Sequence, residues 1–286
     1  MGYPHIIVTG DSIAQGSFAP GGYGAALAQR YAGKADVLNR GMGGYNSHQL
    51  LLKLRSDLLP AGVHPLLFVV HIGTNDSALD GSQTVGTFQF CKAQLTVQVS
   101  VNDYRTNLTS IVGELKSSYP AAAIVLLTPS TLNVAVTRAA EDSMDLPEDL
   151  RHYRQPDNTE HYVNACVGVG EGAGVPVINV FDLHEAAVAV GDKLEDLFSD
   201  GLHFTAKGYE IVTRALLKTI DSRYPDLRPL KMSEAFPAFF SYTHDTEPEG
   251  SKGQRANAIF TRLRAMYEAE ALAEEEAKEA AATKGG

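Results

Sequence analysis

Five short runs of β-branched and aliphatic residues punctuate the chain, at 5–9, 36–39, 66–72, 123–128 and 175–181. Each run is nearly continuous rather than alternating, which is the pattern of strands buried on both faces of a parallel sheet. Between them, apolar residues recur at helical spacing. Ala25, Leu27, Ala28 and Tyr31 fall within 24–31, and Leu108, Ile111, Val112 and Leu115 sit at i, i+3, i+4, i+7; similar stripes occupy 162–169 and 209–220. Strands alternating with helices over this length predict a doubly wound α/β domain with helices on both faces of a parallel sheet, in three layers.

Two stretches break the alternation. Residues 79–101 are polar and turn-rich around Gly81-Ser82-Gln83 and Gly86-Thr87, and are too long for a plain connection. They read either as a lid over a substrate or as a solvated insertion. The second stretch, 130–158, reads as a charged loop. After Ile220 the character changes again. Pro225, Pro229, Pro237 and Pro248 punctuate a segment that also carries Phe236, Phe239, Phe240 and Tyr242, which predicts an extension packed on the domain. Residues 268–282 hold seven Ala and six Glu, and Glu274 and Lys278 are spaced i,i+4, which favours an exposed helix. Its apolar stripe of Ile259, Leu263 and Met266 is short. A solvated terminal helix and a docking helix are both open. The organisation expected is one main domain at 1–224, the extension at 225–250 and the helix at 251–286.

Composition narrows the class. The 286 residues are 44% hydrophobic and 20% charged, an ordinary globular balance. Lys and Arg number 24 against 34 Asp and Glu, a formal charge of −10, so a phosphate-binding surface and nucleic acid are not expected. Cys91 and Cys166 cannot form a disulfide framework, and no C-x-x-C spacing suggests zinc. The start, Met1-Gly2-Tyr3-Pro4-His5, lacks the basic and apolar regions of a secretory signal, and no window is apolar enough to span a membrane. The expectation is a soluble cytoplasmic protein.

In a doubly wound sheet the ligand lies beyond the carboxyl ends of the strands, so the loops there carry the chemistry. The first strand ends at Gly10-Asp11-Ser12-Ile13, where Ser12 opens a helix; Asp-Ser here is either a helix cap or the setting of a nucleophile. The second ends at Asn39-Arg40-Gly41-Met42-Gly43-Gly44-Tyr45-Asn46. Its glycines make a plain turn or bring a backbone N–H to a ligand. The third ends at Gly73-Thr74-Asn75-Asp76, where Asn75 either stabilises the loop or donates into the crevice. Asp200-Gly201-Leu202-His203 precedes the last long helix, and its spacing lets the carboxylate reach the imidazole or cap the helix. Together these loops hold every part of an acyl-transfer site. Ser12 would be the nucleophile, His203 its base and Asp200 the orienting carboxylate, with the N–H groups of Ser12 and Gly44 and the amide of Asn75 meeting the oxyanion. The order Ser, Asp, His matches that of α/β hydrolases, although the G-x-S-x-G elbow is absent.

Other signals are set aside. Gly168-Val169-Gly170-Glu171-Gly172-Ala173 fits G-x-G-x-x-A, but it ends a helical stretch instead of opening one, and reads as a helix stop. Among nine histidines no H-E-x-x-H occurs, and His71, within an apolar run, reads as a core residue with one partner. No Walker pattern is present. No metal or cofactor is expected.

Gly10-Asp11-Ser12, Gly44, Gly73-Thr74-Asn75-Asp76 and Asp200-Gly201-Leu202-His203 resemble the four blocks of the SGNH, or GDSL, hydrolases. Gly21-Gly22-Tyr23-Gly24, Val37-Leu38-Asn39-Arg40-Gly41, Asn75-Asp76-Ser77-Ala78-Leu79 and Tyr162-Val163-Asn164-Ala165-Cys166 resemble more narrowly the isoamyl acetate-hydrolysing esterase subfamily. The resemblance spans 5 to about 220. It implies a flavodoxin-like five-stranded sheet ordered 2-1-3-4-5, the triad and oxyanion donors named above, and hydrolysis of small-molecule esters with short acyl groups. The residues 83–99 and the tail beyond 248 depart from that pattern. Rival readings are a thioesterase, a lysophospholipase or a carbohydrate acetylesterase on the same triad, and a binding protein that keeps the fold without catalysis. A homo-oligomer is left open.

Overall fold

The computed structural model describes residues 3–79, 98–143, 154–235 and 262. The chain divides into two compact units, Met1–Pro225 and Asp226–Gly286. The first unit carries β1 (Pro4–Gly10), α1 (Ser12–Gly16), α2 (Tyr23–Arg30), β2 (Asp36–Gly41), α3 (Ser47–Ser56), β3 (His64–His71) and α4 (Val101–Ser118). After these come β4 (Ala123–Leu127), α5 (Val134–Ser143), α6 (Pro156–Ala173), β5 (Val177–Ile178), α7 (Val180–Ala189), α8 (Leu194–Leu197) and α9 (Ala206–Arg223). The five strands form one sheet in the order β2-β1-β3-β4-β5, and every neighbouring pair is parallel. The expected doubly wound α/β fold is therefore the observed one.

Both faces of the sheet are covered, as the continuous apolar runs require. Ile7, Phe68, Val70, Ile124 and Leu126 pack with Leu108, Ile111, Val112 and Leu115 of α4 and with Tyr162 and Cys166 of α6. Their neighbours along the strands, Ile6, Val8, Leu67, Val69 and Val125, point the other way by strand alternation and are equally buried. In α9, Val212, Leu216 and Ile220 recur at i, i+4, i+8 and are fully buried. Each such side chain contributes about 1.5–3 kcal/mol by leaving water.

Three expectations are corrected. The run at 175–181 is a strand only at Val177–Ile178; Asn179 then caps α7 by accepting from the Asp182 N–H, so Val180 and Phe181 are helical. The stretch at 130–158 contains α5 and the start of α6, with Pro156 in the first turn, where its missing N–H has no helical partner to lose. The glycine run at 168–173 lies inside α6, and the stop is Gly174, in the left-handed conformation at φ 64°. Gly170 serves packing instead, since a Cβ there would stand 2.0 Å from Val177 Cγ2.

Two short 3-10 helices, Pro225–Leu227 and Pro229–Lys231, follow α9. Most of the 79–101 stretch, residues 144–153, the aromatic residues of the extension, Cys91 and the Ala/Glu-rich tail lie outside the described residues. No helix among the described residues is long and apolar enough to cross a membrane.

Candidate active site

The carboxyl ends of β1, β2 and β3 and the loop before α9 meet at one edge of the sheet. Gly10 makes the first turn possible: its φ is +144°, and a Cβ would lie 1.7 Å from the His71 carbonyl oxygen. Asp11 follows as the N-cap of α1, its Oδ1 accepting from the Ile13 N–H at 2.9 Å and its Oδ2 from the Thr74 N–H at 3.3 Å. The cap expected of the Asp-Ser pair is thus made by Asp11, which leaves Ser12 as the first residue of the helix with its hydroxyl free for another task. Burial raises the Asp11 carboxyl above its ordinary range against these N–H bonds.

Ser12, Asp200 and His203 come together. The Ser12 hydroxyl lies 2.9 Å from Nε2 of His203, and Nδ1 of His203 lies 2.6 Å from Oδ2 of Asp200. Asp200 does not cap α9, which Thr205 does through the Gly208 N–H. Its Oδ1 instead accepts from the N–H groups of Leu202 and His203, at 3.0 and 2.8 Å, so the four-residue turn closes on its own carboxylate. Burial alone would raise the Asp200 carboxyl, but the bonds from the His203 ring and from these two N–H groups outweigh it and hold it far below the ordinary range. An ionised Asp200 accepts, so Nδ1 of His203 donates and Nε2 is left to accept the Ser12 proton. The bond to Asp200 raises the His203 pKa above its ordinary value of 6.5, with burial opposing.

The turn is held from outside as well. The Asn133 N–H donates to the Gly201 carbonyl at 2.8 Å, and both the N–H and the hydroxyl of Ser199 donate to the His203 carbonyl. Phe198 and Phe204 form a β-bridge around it. His184, fully buried, stacks edge-on against both rings, donates from Nε2 to the Gly208 carbonyl and accepts at Nδ1 from the Ser130 hydroxyl.

The second loop brings Gly44 to the same edge with φ +79° and open space where a Cβ would be. Gln15, one turn beyond Ser12, positions it: Oε1 accepts from the Gly43 N–H at 2.9 Å, and its carbonyl accepts from Asn39 Nδ2. Asn46 then caps α3 in a reciprocal box with Gln49. Asp76, fully buried, accepts the Ser47 N–H through both oxygens, at 2.9 and 3.0 Å, and so ties the third loop to the second. Burial pushes the Asp76 carboxyl up to about 7 despite these bonds.

Asn75 is only partly placed as expected. One N–H of its amide donates to the Tyr45 carbonyl at 2.9 Å, and Oδ1 accepts from Nη2 of Arg154 at 3.0 Å. The sequence reading missed Arg154, Gln15 and Asn133. No periodicity marks the first, since Arg154 precedes Gln155, the N-cap of α6, and lies outside the helix. His71 is the core residue expected, bonded through Nδ1 to the Tyr23 hydroxyl at 3.0 Å; its burial lowers its pKa to about 3, so it stays neutral.

Comparison with known proteins shows the family. Residues 8–211 match the GDSL-like lipase/acylhydrolase family. A GDSL esterase/lipase of Arabidopsis thaliana is 32% identical over 237 residues, covering 82% of this chain and 91% of its own. The isoamyl acetate-hydrolyzing esterase 1 homolog of Homo sapiens is 30% identical over 233 residues, covering 79% and 84% respectively. Two solved structures share the fold. A lipase/acylhydrolase from Enterococcus faecalis has a TM-score of 0.54 at 22% identity, over 77% of this chain and 96% of that one. An acetylxylan esterase from Geobacillus stearothermophilus has a TM-score of 0.53 at 20% identity, over 77% and 94%. With the family match spanning most of the chain and these relatives covering more than three quarters of it, the protein belongs to the GDSL-like lipase/acylhydrolase family and is a hydrolase of the SGNH type.

Proposed function

We propose that the protein hydrolyses carboxylic esters with short acyl groups through an acyl-serine intermediate. The observation that carries this is the unbroken chain from Ser12 Oγ to His203 Nε2 at 2.9 Å and from His203 Nδ1 to Asp200 Oδ2 at 2.6 Å. Serine is a weak nucleophile at its own pKa, and the imidazole removes its proton as the oxygen attacks the ester carbonyl. The imidazolium formed faces an ionised Asp200, which stabilises it. His203 then returns the proton to the departing alcohol, and in the second half-reaction it activates water to release the acid.

The tetrahedral oxyanion would be met by the N–H groups of Ser12 and Gly44 and by the second N–H of the Asn75 amide. Ser12 opens α1, so its N–H has no partner within the helix. A short acyl group is supported by the relatives whose names specify isoamyl acetate.

The test uses a fluorophosphonate probe and p-nitrophenyl esters of increasing chain length. The wild type is expected to be labelled at Ser12 and to turn over acetate and butyrate esters fastest, while Ser12→Ala does neither. Equal labelling of the two proteins would refute the acyl-serine mechanism; cleavage of long chains alone would refute the short-acyl assignment.

A further inference from the structure

Behind the Asn75 amide stands a buried guanidinium that hydrolysis by the triad leaves without a task. Arg154 is 9% exposed. Its Nη2 donates to Asn75 Oδ1 at 3.0 Å and its Nη1 to the Thr74 carbonyl at 2.5 Å, so two prongs of one planar group grip consecutive residues of the loop after β3. The Tyr45 carbonyl takes one N–H of the same amide from the opposite side.

A side-chain amide can turn end for end, and which end faces a ligand depends on its partners. Here a donor-only guanidinium holds the oxygen and a carbonyl acceptor holds one N–H. The flipped amide would set NH2 against guanidinium and oxygen against oxygen, so a single orientation survives. A charge-assisted bond to Oδ1 also draws electron density away from the amide nitrogen, which makes its remaining N–H a stronger donor when negative charge develops in front of it.

The loop itself does not depend on Arg154 alone. Asn158 Nδ2 donates to the Ser77 carbonyl at 2.7 Å, the Tyr162 hydroxyl donates to the Val99 carbonyl at 2.6 Å, and Asp76 holds the Ser47 N–H. These ties remain when Arg154 is replaced, while its bonds to Oδ1 and to the Thr74 carbonyl are lost together.

We propose that Arg154 is a positioning residue for the oxyanion donor: it fixes the orientation of the Asn75 amide and strengthens its second N–H toward the tetrahedral intermediate. The proposal rests on the reading of Asn75 as that donor. Arg154 never touches the substrate and acts only through Asn75.

The experiment is a double-variant cycle on the full chain, with steady-state kinetics on p-nitrophenyl acetate and thermal melting of each protein. Asn75→Ala is expected to lower kcat about a hundredfold. Arg154→Met should lower kcat about tenfold, the equivalent of one charge-assisted bond, with KM changed less than about twofold. Arg154→Lys, which keeps the cation but not the planar fork, should recover part of that loss. Arg154→Met combined with Asn75→Ala should be no slower than Asn75→Ala alone. If Arg154→Met melts below the assay temperature, Arg154→Gln enters the same cycle in its place. Losses that add in the double variant, or a wild-type kcat in Arg154→Met, overturn the positioning role and leave the Asn75 reading standing. A wild-type kcat in Asn75→Ala overturns that reading, and the proposal with it.

Discussion

The Ser12 hydroxyl lies 2.9 Å from Nε2 of His203 although 191 positions of sequence separate them. Neither residue reaches the other by local structure. Ser12 is fixed by β1 and by the Asp11 cap, and His203 by a turn closed on Asp200. What joins the two frames is Tyr209 in the first turn of α9, whose buried hydroxyl donates to the Ile13 carbonyl at 2.8 Å and whose ring packs against Phe204 and Tyr23.

Tyr209→Phe keeps the ring and removes that tie. The Ile13 carbonyl is left buried without its partner, which costs about 1–3 kcal/mol. Urea unfolding should show that loss, and kcat/KM for p-nitrophenyl acetate should fall more than KM rises, because the Ser12 to His203 distance is no longer held. Unchanged kcat/KM would mean that aromatic packing alone sets the distance.

The pH dependence follows from the His203 imidazole. Only the neutral ring accepts the Ser12 proton, and the bond from Asp200 raises its pKa above 6.5, while burial opposes; the Asp11 charge adds to the rise and Arg154 subtracts from it. Activity should rise with pH through an apparent pKa above 6.5. Asp200→Asn removes the largest raising influence, so the surviving activity should have its acidic limb at lower pH. A kcat/KM profile over about pH 5–9 reads both limbs, and an unmoved limb in Asp200→Asn would contradict the assignment.

Asp76 makes stability depend on pH with the opposite sign to most carboxylates. Burial raises it to about 7 in the folded chain from 3.8. Between those values the folded state holds a proton that the unfolded state has released, so this group's contribution is full below the lower value and is lost as pH rises through the upper one. Asp76→Asn cannot titrate. Its stability relative to wild type should climb by as much as about 1.4 kcal/mol per pH unit across that window. Denaturant unfolding at a series of pH values checks this; a flat difference would refute it.

Two glycines predict contrasting failures. Gly10→Ala forces a Cβ to within 1.7 Å of the His71 carbonyl oxygen, at φ +144°, between two central strands. It should destabilise by more than about 4 kcal/mol and yield little soluble protein. Gly44→Ala has φ +79° but nothing within 4 Å, so only backbone strain of about 1–2 kcal/mol is expected. It should fold, and since alanine keeps the N–H, any fall in kcat would report a shift of the strained backbone. A well-folded Gly10→Ala, judged by circular dichroism, would contradict the first.

Much of this molecule is set by short-range pattern. Continuous apolar runs name buried parallel strands because both faces must be covered, and the residues that end those strands name the crevice loops. Ser12, Asp200 and His203 were legible because a nucleophile, a base and an orienting carboxylate are recognisable by residue type at strand ends. The last strand was overread because Asn179 can stop a β-branched run by capping a helix. Arg154 is not legible, because it precedes Gln155, the N-cap of α6, and so falls outside any helical periodicity. Only the folded chain decided what stands behind each functional group. Gln15 against Gly43, Asp76 on Ser47, Arg154 on Asn75 and Tyr209 on Ile13 are contacts between residues 28 to 196 positions apart. A hydrogen bond depends on direction and on tenths of an ångström, and those are fixed by how whole elements pack, whereas periodicity in a sequence records only which side of an element is dry.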